Sequence, residues 1–199
     1  MLFGTLPIFT AILARGSGVE HLSVRFWVAA LLSFAGVALV AVGSGGSLSA
    51  NLKGNGLAVA GSITWAGYSV AIAPLMREYS PFSLSAIFLV AVTVPLALAG
   101  SGQLADQSFH FGALVWLGFA FAVLGPLVTT NFLWFTAIDR VGPSRASLFA
   151  NLQPFLAAII ALLLLSEKIT TLEVVGGLAI GAGIVLAPRR APAPEPPGD

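Results

Sequence analysis

Four stretches of this chain, Phe26 to Val42, Gly54 to Met76, Pro81 to Gly100 and Phe111 to Ile138, contain no Asp, Glu, Lys or Arg. Apolar runs of that length decide the environment before any other feature is considered. A helix that crosses a bilayer needs about 20 apolar residues, with a range of about 17 to 25. The runs are continuous, whereas strands of a membrane barrel alternate polar and apolar residues over about ten positions. The chain is therefore expected to be all-α, a polytopic bundle of membrane helices.

Composition supports the same environment. Charged residues make up 9% of the chain and hydrophobic residues 57%, against about 25% charged in soluble domains. So few charges could not cover the surface of a water-soluble protein. A lipid bilayer is the first expected partner.

About seven transmembrane segments are expected. The first, roughly 1–18, is short and interrupted by Arg15-Gly16-Ser17-Gly18. The second to fifth are the four runs above, the fifth long enough to tilt or kink. The sixth is Pro143 to Leu165 and the seventh Leu172 to Ala187. Local chemistry marks several ends. Pro81 after Ser80 and Pro143 after Gly142 suit the first helical position, where a missing N–H costs nothing. Thr170 and Glu173 have the spacing of a capping box. Residues 43–53 are expected to form a Gly/Ser loop outside the cell, and 188–199, rich in Pro, a disordered tail.

Charge sets the orientation. With the loop at 43–53 outside, Arg15, Arg25, Arg77, Arg140, Arg145, Arg189 and Arg190 share one side, and Lys53 and Lys168 the other. By the positive-inside rule the arginine side is cytoplasmic. The expected location is the cell (plasma or inner) membrane, with a cytoplasmic C-terminus.

Several classes of function find no support. Neither a basic stripe for nucleic acid nor a Walker-type glycine loop is present. There are no cysteines. His21 and His110 are far apart and lack metal-ligand spacing. Asp106, Asp139, Glu78 and Glu167 sit at segment ends or in loops, and none pairs with a second carboxylate at catalytic spacing. Ser144 and Ser147 have no nearby His. The chain is not expected to be an enzyme, and no metal or other cofactor is expected.

A weak internal repeat is more informative. Pro7 aligns with Pro154, an offset of 147, and the alignment runs ungapped to Leu39 with Leu186. Ten of the 33 positions are identical, among them Pro7/Pro154, Glu20/Glu167 and Gly36/Gly183; roughly three would arise by chance in so biased a composition. The first segment corresponds to the sixth and the second to the seventh. Equivalent segments are five apart, an odd number, so the copies cross the membrane in opposite directions. Glu20 falls inside and Glu167 outside. Secondary transporters are built from inverted repeats of this kind around a midplane site. Residues 54–187 would be a complete five-helix copy, and 1–42 the last two helices of an incomplete one. On that reckoning three helices and the start of a fourth precede Met1 in the full fold.

The residues then carry a resemblance. Ser147-Leu148-Phe149-Ala150-Asn151-Leu152-Gln153-Pro154, continuing through Ser166-Glu167-Lys168 to Gly176-Gly177 and Ala182-Gly183, resembles the closing two helices of an EamA-like member of the drug/metabolite transporter superfamily. Asn131 to Ile138 with Arg140-Val141-Gly142 resembles the helix and loop before them. The resemblance implies ten helices in two inverted repeats and export of amino acids, metabolites or drugs. Two departures, the absent N-terminal helices and the Arg15–Gly18 interruption, leave a second expectation: a non-transporting remnant, or a structural partner of another membrane protein.

Candidate site residues are the polar and aromatic side chains at membrane depth. Trp65 and Tyr68 share a helical face, as do Asn131 and Trp134, while Ser147, Asn151 and Pro154 fall at i, i+4, i+7. No charge lies centrally in segments two to seven, so a neutral or zwitterionic small molecule is the expected substrate rather than a proton at a buried carboxylate. Each candidate has a plain structural alternative: Asn bridging two helices, Trp or Tyr in the interfacial belt. Pro74, Pro95, Pro126 and Pro154 are candidate kinks. Gly177 and Gly181 form GxxxG, expected to pack within the bundle. A homodimer and the missing N-terminal half are the remaining partner expectations.

Overall fold

A computed structural model describes residues 2–45, 52–105 and 107–188. Among the described residues there is no strand. The helices are α1 (Leu6–Gly16), α2 (Val24–Gly43), α3 (Leu52–Ile72), α4 (Pro81–Ala99), α5 (Ser101–Ala105), α6 (Ala113–Ala122), α7 (Thr130–Val141), α8 (Pro143–Ala150), α9 (Gln153–Leu165) and α10 (Thr171–Leu186). Five helical stretches are long and apolar enough to cross a membrane: Val24–Gly43, Lys53–Arg77, Pro81–Ala99, Ala113–Val141 and Pro143–Leu165. The first and seventh expected segments are the shorter apolar helices Leu6–Gly16 and Thr171–Leu186. The Gly/Ser loop beyond Gly45, Asp106 and the tail from Arg189 onward lie outside the described residues.

The helix ends follow their local chemistry. The Ser80 Oγ accepts the Ser83 N–H at 3.1 Å, with Pro81 opening α4. Thr170 and Glu173 form a complete capping box: the Thr170 Oγ1 accepts the Glu173 N–H, and Glu173 Oε2 accepts the Thr170 N–H at 2.7 Å. Two donors that the first turn of α10 would leave unpaired in lipid are thereby satisfied.

Three of the four prolines coincide with breaks in α-helical winding. Pro74 lies in a 3₁₀ segment, Ala73–Arg77, that ends the third span. Pro126 lies in a π segment, Val123–Thr129, between α6 and α7. Pro154 follows the turn at Asn151-Leu152 that separates α8 from α9. Pro removes an N–H and clashes with the carbonyl four residues back, so the winding yields there. Pro95 is accommodated inside α4.

The chain divides into two compact units. One comprises residues 1–73 and 141–199, the other Pro74–Arg140. In the second, edge-to-face ring pairs Phe82–Phe132 and Phe88–Phe135 join α4 to α7. In the first, α10 lies along α2, and α1 packs on α3 and α8. Its core includes Ala11, Phe26, Ala29, Ala30 and Leu148, with Val37, Val40 and Ile180 beyond. Large apolar side chains such as Leu163, Leu164 and Val185 stand exposed, as expected of a surface solvated by lipid tails.

The α2–α10 contact is antiparallel and very close. A Cβ on Gly36 would lie 2.6 Å from the Gly176 carbonyl oxygen, and one on Gly183 would lie 2.7 Å from that of Ala29. These two contacts exchange when 147 is added to one member and subtracted from the other. So do Gly36 against Ile180 and Gly183 against Ser33. The starts match as well: Val24 and Thr171, Leu6 and Gln153, are 147 apart. Across the α2–α10 pair the close contacts are therefore reciprocal.

Candidate functional site at the helix interruption

Asn151 sits where α8 stops and α9 has not begun. It is 3% exposed. Its Nδ2 donates to the Gly4 carbonyl at 3.3 Å and to the Ser33 Oγ at 3.0 Å. Both amide protons of one side chain are thus used to tie the interruption to α2 and to the 3₁₀ turn, Leu2–Thr5, that precedes α1. An uncompensated amide in a low-dielectric interior costs several kcal/mol, of order 2–7, which explains why a helix break at this depth carries such a residue.

Around it the interior of this unit is lined by small hydroxyls. Thr10 on α1, Ser62 and Ser69 on α3, and Ser144 and Ser147 on α8 are fully buried. Most turn back on their own helix: Thr10 donates to the Leu6 carbonyl at 2.8 Å, Ser62 to Ala58 at 3.0 Å, Ser69 to Trp65 at 2.9 Å and Ser147 to Ser144 at 2.8 Å. Back-bonding of this kind satisfies a hydroxyl in lipid without a partner helix. The Ser144 Oγ is buried with no hydrogen-bond partner.

One end of the unit is charged. Glu20 Oε2 accepts the Ser144 N–H at 3.2 Å, capping α8 across 124 residues of sequence. Gly142, at φ +85, leaves no room for a Cβ because Glu20 Oε1 occupies the space. Arg145 donates from Nη1 to the carbonyls of Ala187 and Pro188 at 3.1 and 2.6 Å, at the C-terminal end of α10. Anion at a helix N-terminus and cation at a C-terminus both complement the backbone dipoles. Thr170 and Glu173 pack against Gly43 at the other end of α2. Glu20 and the Glu167–Thr170 turn therefore stand at opposite ends of the antiparallel pair.

Ser147 lies on α8, Asn151 in the turn that follows it and Pro154 in the first turn of α9. It pairs the Trp65 and Tyr68 rings edge to face at 5.9 Å, with Trp65 48% exposed. Asn131 and Trp134 lie partly buried on α7, in the other unit. The GxxxG reading needs refinement. Gly177 packs within the bundle, on the Phe155 ring, but a Cβ on Gly181 would meet nothing from another element within 4 Å among the described residues. The close approach to α2 is made by Gly176 and Gly183, seven residues apart, the first against Gly36 and the second against Ala29 and Ser33. Sequence reasoning also missed Ser33 and the Gly4 carbonyl as partners of Asn151. Their offset in the repeat, Gly4 being the counterpart of Asn151, was the one available signal.

Long apolar helices, buried polar side chains that satisfy themselves, and an antiparallel helix pair with two-fold contacts define a multipass α-helical membrane protein. Its sequence matches the model of the EamA-like transporter family over residues 52–188. The chain belongs to that family. It is similar to the uncharacterized transporters YdfC and YyaM of Bacillus subtilis (strain 168), at 27% and 26% identity over 92% and 94% of this chain and 60% and 62% of theirs. It is also similar to the uncharacterized inner membrane transporter YedA of Escherichia coli (strain K12), at 26% identity over 87% of this chain and 55% of that protein. The chain thus spans about 60% of the length of these relatives.

Proposed function

We propose that this chain is the larger part of a permease or exporter that moves small organic solutes, amino acids, metabolites or drugs, by alternating access between inverted repeats. The observation that carries the reading is the reciprocal packing of Gly36 on Gly176 and Gly183 on Ala29. An antiparallel helix pair whose contacts interchange is what two oppositely inserted copies produce. Rocking of such copies about a shared axis exposes a midplane site to one side and then the other. Residues 54–187 form the second copy in this reading and 1–42 the end of the first.

The substrate is neutral or zwitterionic. Segments two to seven hold no central charge, so a bare ion would meet no counter-charge there. Trp65 and Tyr68 supply aromatic surface, and Ser147, Asn151 and Pro154 the interrupted helix; Asn131 and Trp134 are a separate polar and aromatic pair in the other unit. Because both Asn151 amide protons are engaged by Gly4 and Ser33, its part is to hold the break open, and its neighbours make the contact. Arginine asymmetry supports a cytoplasmic side for the Glu20–Arg145 end and the C-terminus, in the cell's inner or plasma membrane.

Reconstitution into liposomes tests the reading. This chain, or a version extended at its N-terminus, is expected to give saturable flux of at least one compound from a panel of amino acids and amphiphilic drugs. Trp65→Ala is expected to weaken that flux. If neither version moves any compound, the transport reading is wrong.

A further inference from the structure

Asn151 donates to the carbonyl of its own repeat counterpart. Gly4 and Asn151 are 147 residues apart, the offset that relates the two halves of the α2–α10 pair. The second acceptor, Ser33, has Ile180 as its counterpart. These four positions lie where the two copies face each other, and they are chemically unequal. One copy supplies Asn and Ile, the other Gly and Ser.

That inequality has a consequence for exchange between the copies. When two inverted repeats trade conformations, each residue takes the place of its counterpart. The bond from Asn151 to the Gly4 carbonyl would become a bond from residue 4 to the carbonyl of residue 151, and glycine has no side chain to donate. The bond from Asn151 to the Ser33 Oγ would become one from residue 4 to Ile180, which has no acceptor. Both hydrogen bonds exist in the described arrangement and neither has an equivalent in the exchanged one. Gly4 adds to the asymmetry: a Cβ there would lie 2.8 Å from the Val37 side chain, so the turn before α1 cannot carry an asparagine without displacement in the described arrangement.

We infer that Asn151, with Ser33 and Gly4, is a positioning device that selects one of the two access states. The inference rests on the alternating-access reading and deepens it by naming the residues that set the resting state. Asn151 acts here on the helices and not on the substrate.

The absence of cysteine allows a direct test. Ser62→Cys and Ser69→Cys are placed singly on α3. Both serines are fully buried on one face of that helix, Ser62 toward the Gly43 end and Ser69 toward the Glu20 end. In proteoliposomes the alkylation rates with N-ethylmaleimide are compared as a ratio. Asn151→Ala is expected to shift that ratio by about tenfold, since two buried hydrogen bonds are lost in one state only, at about 0.7 kcal/mol each. Ser33→Ala, which removes one acceptor, is expected to shift it by about half as much on a logarithmic scale, in the same direction. The exchange variant Gly4→Asn with Asn151→Gly, Ser33→Ile with Ile180→Ser, is expected to shift it further the same way. A ratio unchanged in Asn151→Ala and Ser33→Ala overturns the inference, as does an exchange variant that matches the parent. If Asn151→Ala does not fold, Ser33→Ala alone decides the outcome. Alkylation requires no flux, so failure here leaves the transport reading standing, and absent flux with a shifted ratio removes only the latter.

Discussion

Glu20 and Ser144, 124 residues apart, meet at the start of α8, where the carboxylate accepts the Ser144 backbone N–H at 3.2 Å. The loop between α1 and α2 thereby holds α8 by its N-terminus, and Gly142 makes the approach possible. Its φ of +85 lies in the region glycine adopts freely, and any Cβ there would meet the Glu20 carboxylate.

Gly142→Ala is therefore expected to destabilise the protein by about 1–3 kcal/mol, from backbone strain together with the clash. Glu20→Ala should cost about 1–3 kcal/mol, because it leaves the N–H of the buried Ser144 without its acceptor. Thermal unfolding of each variant in detergent, followed by tryptophan fluorescence, gives both values. An alanine at 142 as stable as the parent would contradict the packing described.

The α2–α10 crossing yields a sharper comparison. Gly36→Ala and Gly183→Ala are expected to be destabilising by similar amounts, about 1–3 kcal/mol each, since each methyl meets the facing backbone and overpacking there forces the helices apart. Gly181→Ala, which faces open space, should be neutral or slightly stabilising through helix propensity. A denaturation midpoint for Gly181→Ala as low as for Gly183→Ala would mean that α10 presents a different face.

At the far end, Thr170→Ala removes one side of the capping box and should cost about 1 kcal/mol. Thr170→Ser keeps the oxygen and should restore most of it. Equal loss in both variants would assign the effect to the methyl group rather than to the cap.

Topology can be read with single cysteines at positions 20 and 167. A membrane-impermeant maleimide is expected to label the two from opposite faces of oriented vesicles. Labelling from one face would contradict both the inverted repeat and the antiparallel α2–α10 pair.

Much of this was legible in the sequence for physical reasons that act locally. Proline at 81 and 143, and Thr170 with Glu173 three residues on, mark helix starts because capping depends on neighbours within one turn. Uninterrupted apolar runs specify helices in lipid because every backbone group must be satisfied within its own segment. The repeat was visible because equivalent helices meet equivalent neighbours. Gly177 and Gly181 illustrate the limit. Their spacing is that of a packing motif, yet α10 turns Gly176 and Gly183 toward α2, and rotation of an apolar helix about its axis leaves no trace in a sequence that is apolar on every side.

By itself, then, the sequence determined the solvent, the apolar segments and several of their ends, since each follows from the transfer of side chains and backbone into hydrocarbon or from patterns within a turn. Only the tertiary structure decided which glycines touch, that Glu20 caps α8, and that Asn151 reaches Ser33 and the Gly4 carbonyl. Those contacts join residues more than a hundred positions apart, and their geometry is set by how the helices rotate and cross, which no local spacing encodes.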